Sequence, residues 1–169
     1  MKTNREPEII QMPAQKMAVV RTTGDPNVVT AQVMPALYGA VYTLKFALKK
    51  QGVDVKVGPL RGRWPNAHEV YKDQWIGLWG LPVPPETTTL TQKVPGIEVK
   101  LETWEYGTVA QILHVGSFAT EGPTVRRLHE FISANGYEIA GVHEEEYLTK
   151  MDAQVQKTII RYPVRKLDE

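Results

Sequence analysis

The sequence predicts an α+β fold built from a duplicated strand–helix–strand–strand module, and three observations carry that reading. Shifted by 92 positions, residues 17–24 fall on residues 109–116, with Ala18 on Ala110, Val20 on Ile112 and Gly24 on Gly116. Each copy is followed by a helical pattern that stops at a glycine, Gly52 in the first and Gly136 in the second. Beyond each glycine, apolar residues recur at every second position, the period of a strand with one buried face. Strand, glycine, helix and glycine in the same order argue for a duplication rather than a chance match. One domain is expected, with a first repeat over about 8–85, a linker over about 86–96 and a second repeat over about 97–165.

The elements follow in order. Residues 8–23 read as one strand, and Met34-Pro35 as a helix start, where a missing N–H costs least. Leu37, Val41, Leu44 and Leu48 then form one apolar stripe, with Lys45, Lys49 and Lys50 toward the end that favours cations. Val53, Val55 and Val57 alternate with Asp54 and Lys56 as a half-buried strand that breaks at Gly58-Pro59. Residues 60–85, with Arg61-Gly62-Arg63-Trp64-Pro65, Trp75 to Trp79 and three prolines, read as an irregular insertion. In the second copy a helix starts near 120–123, buries Val125, Leu128, Phe131 and Ile132, and ends at Asn135-Gly136. Residues 137–149 and 157–164 then read as two paired strands.

Composition narrows the function. Twenty basic and nineteen acidic residues leave a formal charge of +1, so the field that draws a protein onto nucleic acid or an anionic membrane is missing. No nucleic-acid or membrane partner is expected. Cysteine is absent, which excludes disulfides, thiolate nucleophiles and cysteine-based metal sites, and agrees with a reducing compartment. The opening residues show no apolar signal core and no stretch approaches a membrane span, so a cytoplasmic location is expected. Four histidines, at 68, 114, 129 and 143, lack the spacing of a metal pair, and no nucleophile elbow or phosphate-cradling glycine motif occurs. No metal or cofactor is expected.

The candidate chemistry sits at residues 141–148, Gly-Val-His-Glu-Glu-Glu-Tyr-Leu. Strand alternation puts His143, Glu145 and Tyr147 on one face and Glu144 and Glu146 on the other. Glu145 beside aromatic rings is either desolvated with a proton to donate, or ionised and balanced by a cation. A structural pair with Arg161 or Lys157 on the next strand is the plain alternative, and a solvated acidic edge serving a partner protein is another. Trp64, Trp75, Trp79 and Trp104 offer flat walls for a ligand, with Trp75 and Trp79 equally suited to plugging the core. Tyr38 and Tyr42, one turn apart, suit helix packing with hydroxyls at a rim.

These residues carry a resemblance that covers nearly the whole chain. Residues 17–24 and 109–116, the helix over 125–136, Tyr137-Glu138-Ile139-Ala140-Gly141 leading to Glu145-Glu146-Tyr147-Leu148, and Thr158-Ile159-Ile160-Arg161-Tyr162-Pro163-Val164 resemble the GyrI-like family. That small-molecule-binding domain also serves as the effector domain of multidrug-sensing transcription activators. Ala36-Leu37-Tyr38, Tyr42-Thr43-Leu44-Lys45-Phe46 and Pro59-Leu60-Arg61-Gly62-Arg63-Trp64 are similar to its stand-alone branch. The resemblance implies two antiparallel sheets meeting at a central ligand cleft, with helices packed outside. It places the family's glutamate on Glu145 and its neighbouring aromatic on Tyr147. It implies binding of hydrophobic, aromatic or cationic small molecules, with Glu145 and Tyr147 as anchor and Trp64, Trp75, Trp79, Trp104 and Tyr38 as further ligand contacts. Some stand-alone relatives are hydrolases of strained cyclopropane natural products, which implies as the alternative a catalytic role for Glu145 and Tyr147. The Arg61-Gly62-Arg63-Trp64-Pro65 segment departs from the acidic or apolar loop usual in those relatives.

Overall fold

The computed structural model describes residues 6–167, which fold into two compact units. One is Ala14–Glu105; the other joins the chain up to Pro13 to the chain from Tyr106 onward.

In the Ala14–Glu105 unit, strand β2 (Gln15–Thr23) pairs antiparallel with β4 (Ile76–Pro82) on one side and β5 (Lys100–Trp104) on the other, and β3 (Leu60–Arg63) adds outside β4. Helix α1 (Pro26–Lys50) packs on β2 and β4 through Val33, Ala36, Leu37, Ala40 and Val41. It begins nine residues before Pro35 rather than at it. The Asp25 side chain accepts from the Asn27 N–H and Pro26 takes the first position, where no N–H is needed. Pro35 is tolerated inside the helix on its exposed side.

Two further expectations are corrected in this unit. Residues 53–59 form no strand, and Val53 is 46% exposed, because no neighbouring strand pairs with that alternation. Conversely, the segment read as an irregular insertion supplies β3 and the interior strand β4. Its glycines are packing requirements. A Cβ at Gly77 would lie 2.7 Å from the Thr22 hydroxyl and 3.0 Å from both Trp64 and Trp79; one at Gly80 would lie 2.8 Å from Met17 and 2.9 Å from Trp104. Residues 83–99 hold no helix or strand, yet Gln92 ties them down by bonding both the N–H and the carbonyl of Val99.

In the other unit, β6 (Gly107–Val115) pairs antiparallel with β1 (Glu8–Met12) and with β9 (Lys157–Lys166), and β9 carries β8 (Glu144–Tyr147) and β7 (Tyr137–Ile139) on its far side. The expected single strand over 8–23 is therefore two, divided at Pro13-Ala14 and shared between the units. Helix α2 (Glu121–Ala134) lays Leu128 and Ile132 against Ala110, Ile112, Ile160, Tyr162 and Val164, with Val125 packed against this cluster. Fully burying side chains of this size stabilises by about 1.5–3 kcal/mol each. The pairing order β8-β9-β6-β1 is the same, element for element, as β3-β4-β2-β5. At equivalent points, after β2 and β6, Gly24 and Gly116 have φ of +130° and +136°, a backbone that L side chains rarely adopt.

Pro163 divides β7 from β8. Its carbonyl accepts from the Ala140 N–H at 2.8 Å, and a residue's N–H and C=O point to the same side of a strand. Pro163 therefore has no donor on the side where the ladder should continue, and the pairing lapses over residues 140–143 before resuming at Glu144. That lapse delivers His143 to the start of β8.

Candidate functional site

Strand β8 sets two different polar clusters on its two faces. Opposite β9, Glu145 pairs with Ile160 and Tyr147 with Thr158, while Glu144 pairs with Arg161 and Glu146 with Ile159. Cross-strand partners share a face, and Ile160 belongs to the apolar cluster under α2, so Glu145 and Tyr147 lie on the α2 side. Glu144 and Glu146 lie on the opposite side.

On the α2 side, Glu145 is 6% exposed and its oxygens are divided among neighbours. His143 Nε2 bonds Oε1 at 3.0 Å and the Tyr147 hydroxyl donates to Oε2 at 3.0 Å. His143 Nδ1 is hydrogen-bonded to the Tyr162 hydroxyl at 2.6 Å. Glu121, the first residue of α2, completes the group with a hydrogen bond to Glu145. Rings frame the cluster, with Phe118 edge-on to Tyr147 at 5.7 Å and His143 edge-on to Tyr162 at 5.0 Å.

Two carboxyl groups in contact cannot both ionise, and environment decides which keeps the proton. Burial pushes Glu121 up to about 9, and the Glu145 hydrogen bond and charge add to it. Burial pushes Glu145 upward too, but the hydrogen bonds from His143 and Glu121, the His143 charge and the Tyr147 hydroxyl outweigh that and hold it below its usual value. Glu121 is the protonated partner and Glu145 the ionised one. Burial, then the charges of Glu145 and Glu121, push Tyr162 to about 12, so its phenol keeps its proton.

On the opposite face a permanent cation organises the cluster. Arg161, 3% exposed, donates through Nη1 to Glu144 Oε2 at 2.7 Å and to Glu146 Oε1 at 3.2 Å, and through Nε to Gln111 Oε1 at 3.1 Å. The Tyr106 hydroxyl donates to Glu144 Oε1 at 2.9 Å. Burial disfavours the charged guanidinium, but Glu146 and Glu144 more than offset this and raise Arg161 above its ordinary value.

Arg161 thus pairs with Glu144 and Glu146 rather than with Glu145, and the solvated acidic edge is ruled out, since Glu144 is 1% exposed. The raised carboxyl pKa falls on Glu121, which sequence reasoning passed over. An acid at a helix start is ordinary dipole chemistry, and nothing local signals that it meets Glu145. Tyr106 was passed over as well, sitting between two strands with no motif around it.

The aromatic candidates lie in the Ala14–Glu105 unit. Trp64 stands edge-on to Trp79 at 5.0 Å and tilted to Trp75 at 5.9 Å. Trp79 is buried and donates to the Thr22 hydroxyl; Trp104 is 3% exposed under the Arg63 guanidinium, 4.1 Å from its ring. Tyr38 stacks on Tyr42 at 6.4 Å, and burial followed by the Tyr42 charge raises its pKa. A hollow of about 520 Å³ in this unit is lined by Val19, Arg21, Gln32, Val33, Leu78 and Glu102 among others, and by none of these five aromatics. One of about 310 Å³ in the other unit, at His114, Thr120, Thr124 and Arg127, does not include Glu145 or Tyr147. Among the described residues, no three His, Cys, Asp or Glu side chains gather as a metal site, and no helix is long and apolar enough to cross a membrane.

The described residues thus form an α+β scaffold that buries carboxylates beside phenols. The chain belongs to the GyrI-like small-molecule-binding domain family, which matches residues 5–164. A conserved Listeria innocua protein of uncharacterised role is 28% identical with a TM-score of 0.84, over 96% of this chain and 94% of that one. A Listeria innocua protein described as a hydrolase is 27% identical with a TM-score of 0.81, over 97% and 94%. The C-terminal domain of EcmrR, 13% identical with a TM-score of 0.59 over 96% and 98%, shares the fold. No curated protein matches the chain.

Proposed function

We propose that the protein is a receptor for hydrophobic, aromatic small molecules that carry a positive charge, anchored at Glu145 with Tyr147 beside it. The observation that carries this is the contrast between the carboxylates of β8. Glu144 and Glu146 already face a guanidinium, whereas Glu145 is ionised with neutral phenols, an imidazole and a protonated acid around it. A cation arriving there has no arginine to displace. At an effective dielectric of about 20, a pair at 4 Å gains roughly 4 kcal/mol before desolvation, enough to prefer a cation over a neutral ring of the same shape. Neighbouring aromatic faces add about 0.5–2 kcal/mol through cation–π attraction.

The proposal includes a duplicated architecture over the full chain. The identical pairing order of the two units supports that reading. Trp64, Trp75, Trp79, Trp104 and Tyr38 are the aromatic contributions, with half-buried Trp64 and Trp75 better suited than buried Trp79 and Trp104. Titration with ethidium, an aromatic permanent cation, tests the anchor. Glu145→Gln should weaken binding at least about tenfold, and phenanthridine, its neutral parent ring, should bind equally to both proteins. Equal ethidium affinity in wild type and variant removes Glu145 as anchor.

A hydrolytic reading of the same cluster is favoured by one observation, the division of protonation between Glu121 and Glu145. An acid that keeps its proton at neutral pH beside an ionised carboxylate is the pairing that opening a strained ring requires, one group donating to the leaving atom and the other, with Tyr147, orienting water.

A further inference from the structure

We propose that Glu121 is the second carboxyl of the cation site and that an incoming cation takes the place of the proton held between Glu121 and Glu145, so that each cation bound releases one proton to solvent. The inference deepens the receptor reading and rests on it. Its geometric basis is a closed set of partners. Both Glu145 oxygens are engaged by His143 and Tyr147, and Glu121 reaches Glu145 from the first turn of α2. Glu121 Oε1 is buried with no hydrogen-bond partner among the described residues, an environment that favours the neutral carboxyl. The carboxyl–carboxyl contact requires a proton in it, because two carboxylates at hydrogen-bond distance repel.

The surrounding groups leave the proton where it is. From the segment before β8 comes His143, from β8 Tyr147 and from β9 Tyr162. From β6 comes His114, whose ring nitrogens are taken up by Thr124 and by the Ser117 carbonyl. Further along α2, His129 lies edge-on to Tyr162 and is held below its usual pKa by burial and by the His143 charge. None of these is a permanent cation, and the helix N-terminus, which would favour an ionised Glu121, is outweighed: burial and Glu145 raise its pKa to about 9. A ligand cation supplies a permanent positive charge, which none of these groups carries. With it in place both carboxylates can ionise; the Glu121 O–H bond breaks, its proton passes to buffer, and total charge is conserved.

The expected linkage is specific. Below the pKa of Glu121, ethidium affinity should rise about tenfold per pH unit, since each binding event must expel one proton. Calorimetric titration at pH 7 in two buffers of different ionisation enthalpy reads that proton directly, with about one released per ethidium bound. In Glu121→Gln the amide still donates to Glu145 but the second carboxylate and its proton are gone, so ethidium should bind more weakly than to wild type and with no buffer dependence and little pH dependence. Heats that do not change with buffer in wild type, while binding still depends on Glu145, overturn the inference and leave the receptor reading standing. Failure of ethidium to bind at all overturns both. If the glutamine variant does not fold, the wild-type buffer comparison decides alone.

Discussion

The two faces of β8 hold buried carboxylates by opposite means. On one face Arg161, a group that never loses its charge, draws in Glu144 and Glu146, and Glu144 also accepts from the Tyr106 hydroxyl. On the other, Glu145 and Glu121 manage with a shared proton, an imidazole and two phenols. The lesson is that one short strand can carry a fixed electrostatic arrangement and an adjustable one, on consecutive residues but separated by the plane of the sheet. The arginine face suits holding a structure; the proton-sharing face suits exchanging charge with something that arrives.

The largest expected effect comes from attacking the fixed face. Arg161→Met would leave Glu144 and Glu146 together without their guanidinium, and breaking a buried pair by removing one partner costs about 3–5 kcal/mol. Urea unfolding should show that loss; a change under about 1 kcal/mol would mean the carboxylates find other support or take up protons at little cost.

The adjustable face should answer to pH instead. Between the ordinary carboxyl value of 4.5 and about 9, the folded protein keeps a proton on Glu121 that the unfolded chain has lost. The folded state binds more protons across that window, so the Glu121 contribution to stability falls as pH rises through it. Glu145 acts in the opposite sense, its lowered pKa giving stability above the ordinary value that is lost as pH falls through the folded one. Glu121→Gln should therefore flatten the alkaline side of a Tm-versus-pH profile and raise Tm by roughly 2–4 °C at pH 8.5. A wild-type profile that is already flat from pH 6 to 9 removes the protonated carboxyl.

The smallest effect marks what exposure does to the same chemistry. Arg165 of β9 pairs with Glu138 of β7 out in solvent, with 70% of the arginine side chain exposed. Arg165→Ala should cost less than about 1 kcal/mol and lose even that in 0.5 M salt. A cost comparable with Arg161→Met would show that burial is not what separates the two pairs.

How much of this was legible in the sequence follows from what each feature depends on. The alternation that separates His143, Glu145 and Tyr147 from Glu144 and Glu146 is a local period of two, and the structure keeps it. The α2 stripe and the equivalent glycines Gly24 and Gly116 were readable for the same reason. Strand β4 was not. Its Gly77 and Gly80 make room for its own Trp79 and for Thr22, Met17, Trp64 and Trp104 brought from elsewhere in the chain, so local propensity argued against a strand that packing demands. Val53 to Val57 fail in reverse, with the right alternation and no strand beside it. Helix α1 hid its start because Pro35 outshone the quieter signal of Asp25, Pro26 and Asn27. The meeting of Glu121 with Glu145 depends on how α2 lies across β8 and β9, which no window of sequence contains.

Strand β1 has one more consequence, for the order in which the chain is made. It is translated well ahead of its partner β6, and the Glu8–Gln111 bond joins side chains 103 positions apart. At about 5–20 residues per second of synthesis, β1 waits on the order of 5–20 s for that partner. Meanwhile the Ala14–Glu105 unit emerges with both members of its β2–β4, β2–β5 and β3–β4 pairings in hand. Strand β1, translated before that unit, thus finds its place after it, and a nascent-chain protease should cut near residues 6–13 long after the following stretch has become resistant.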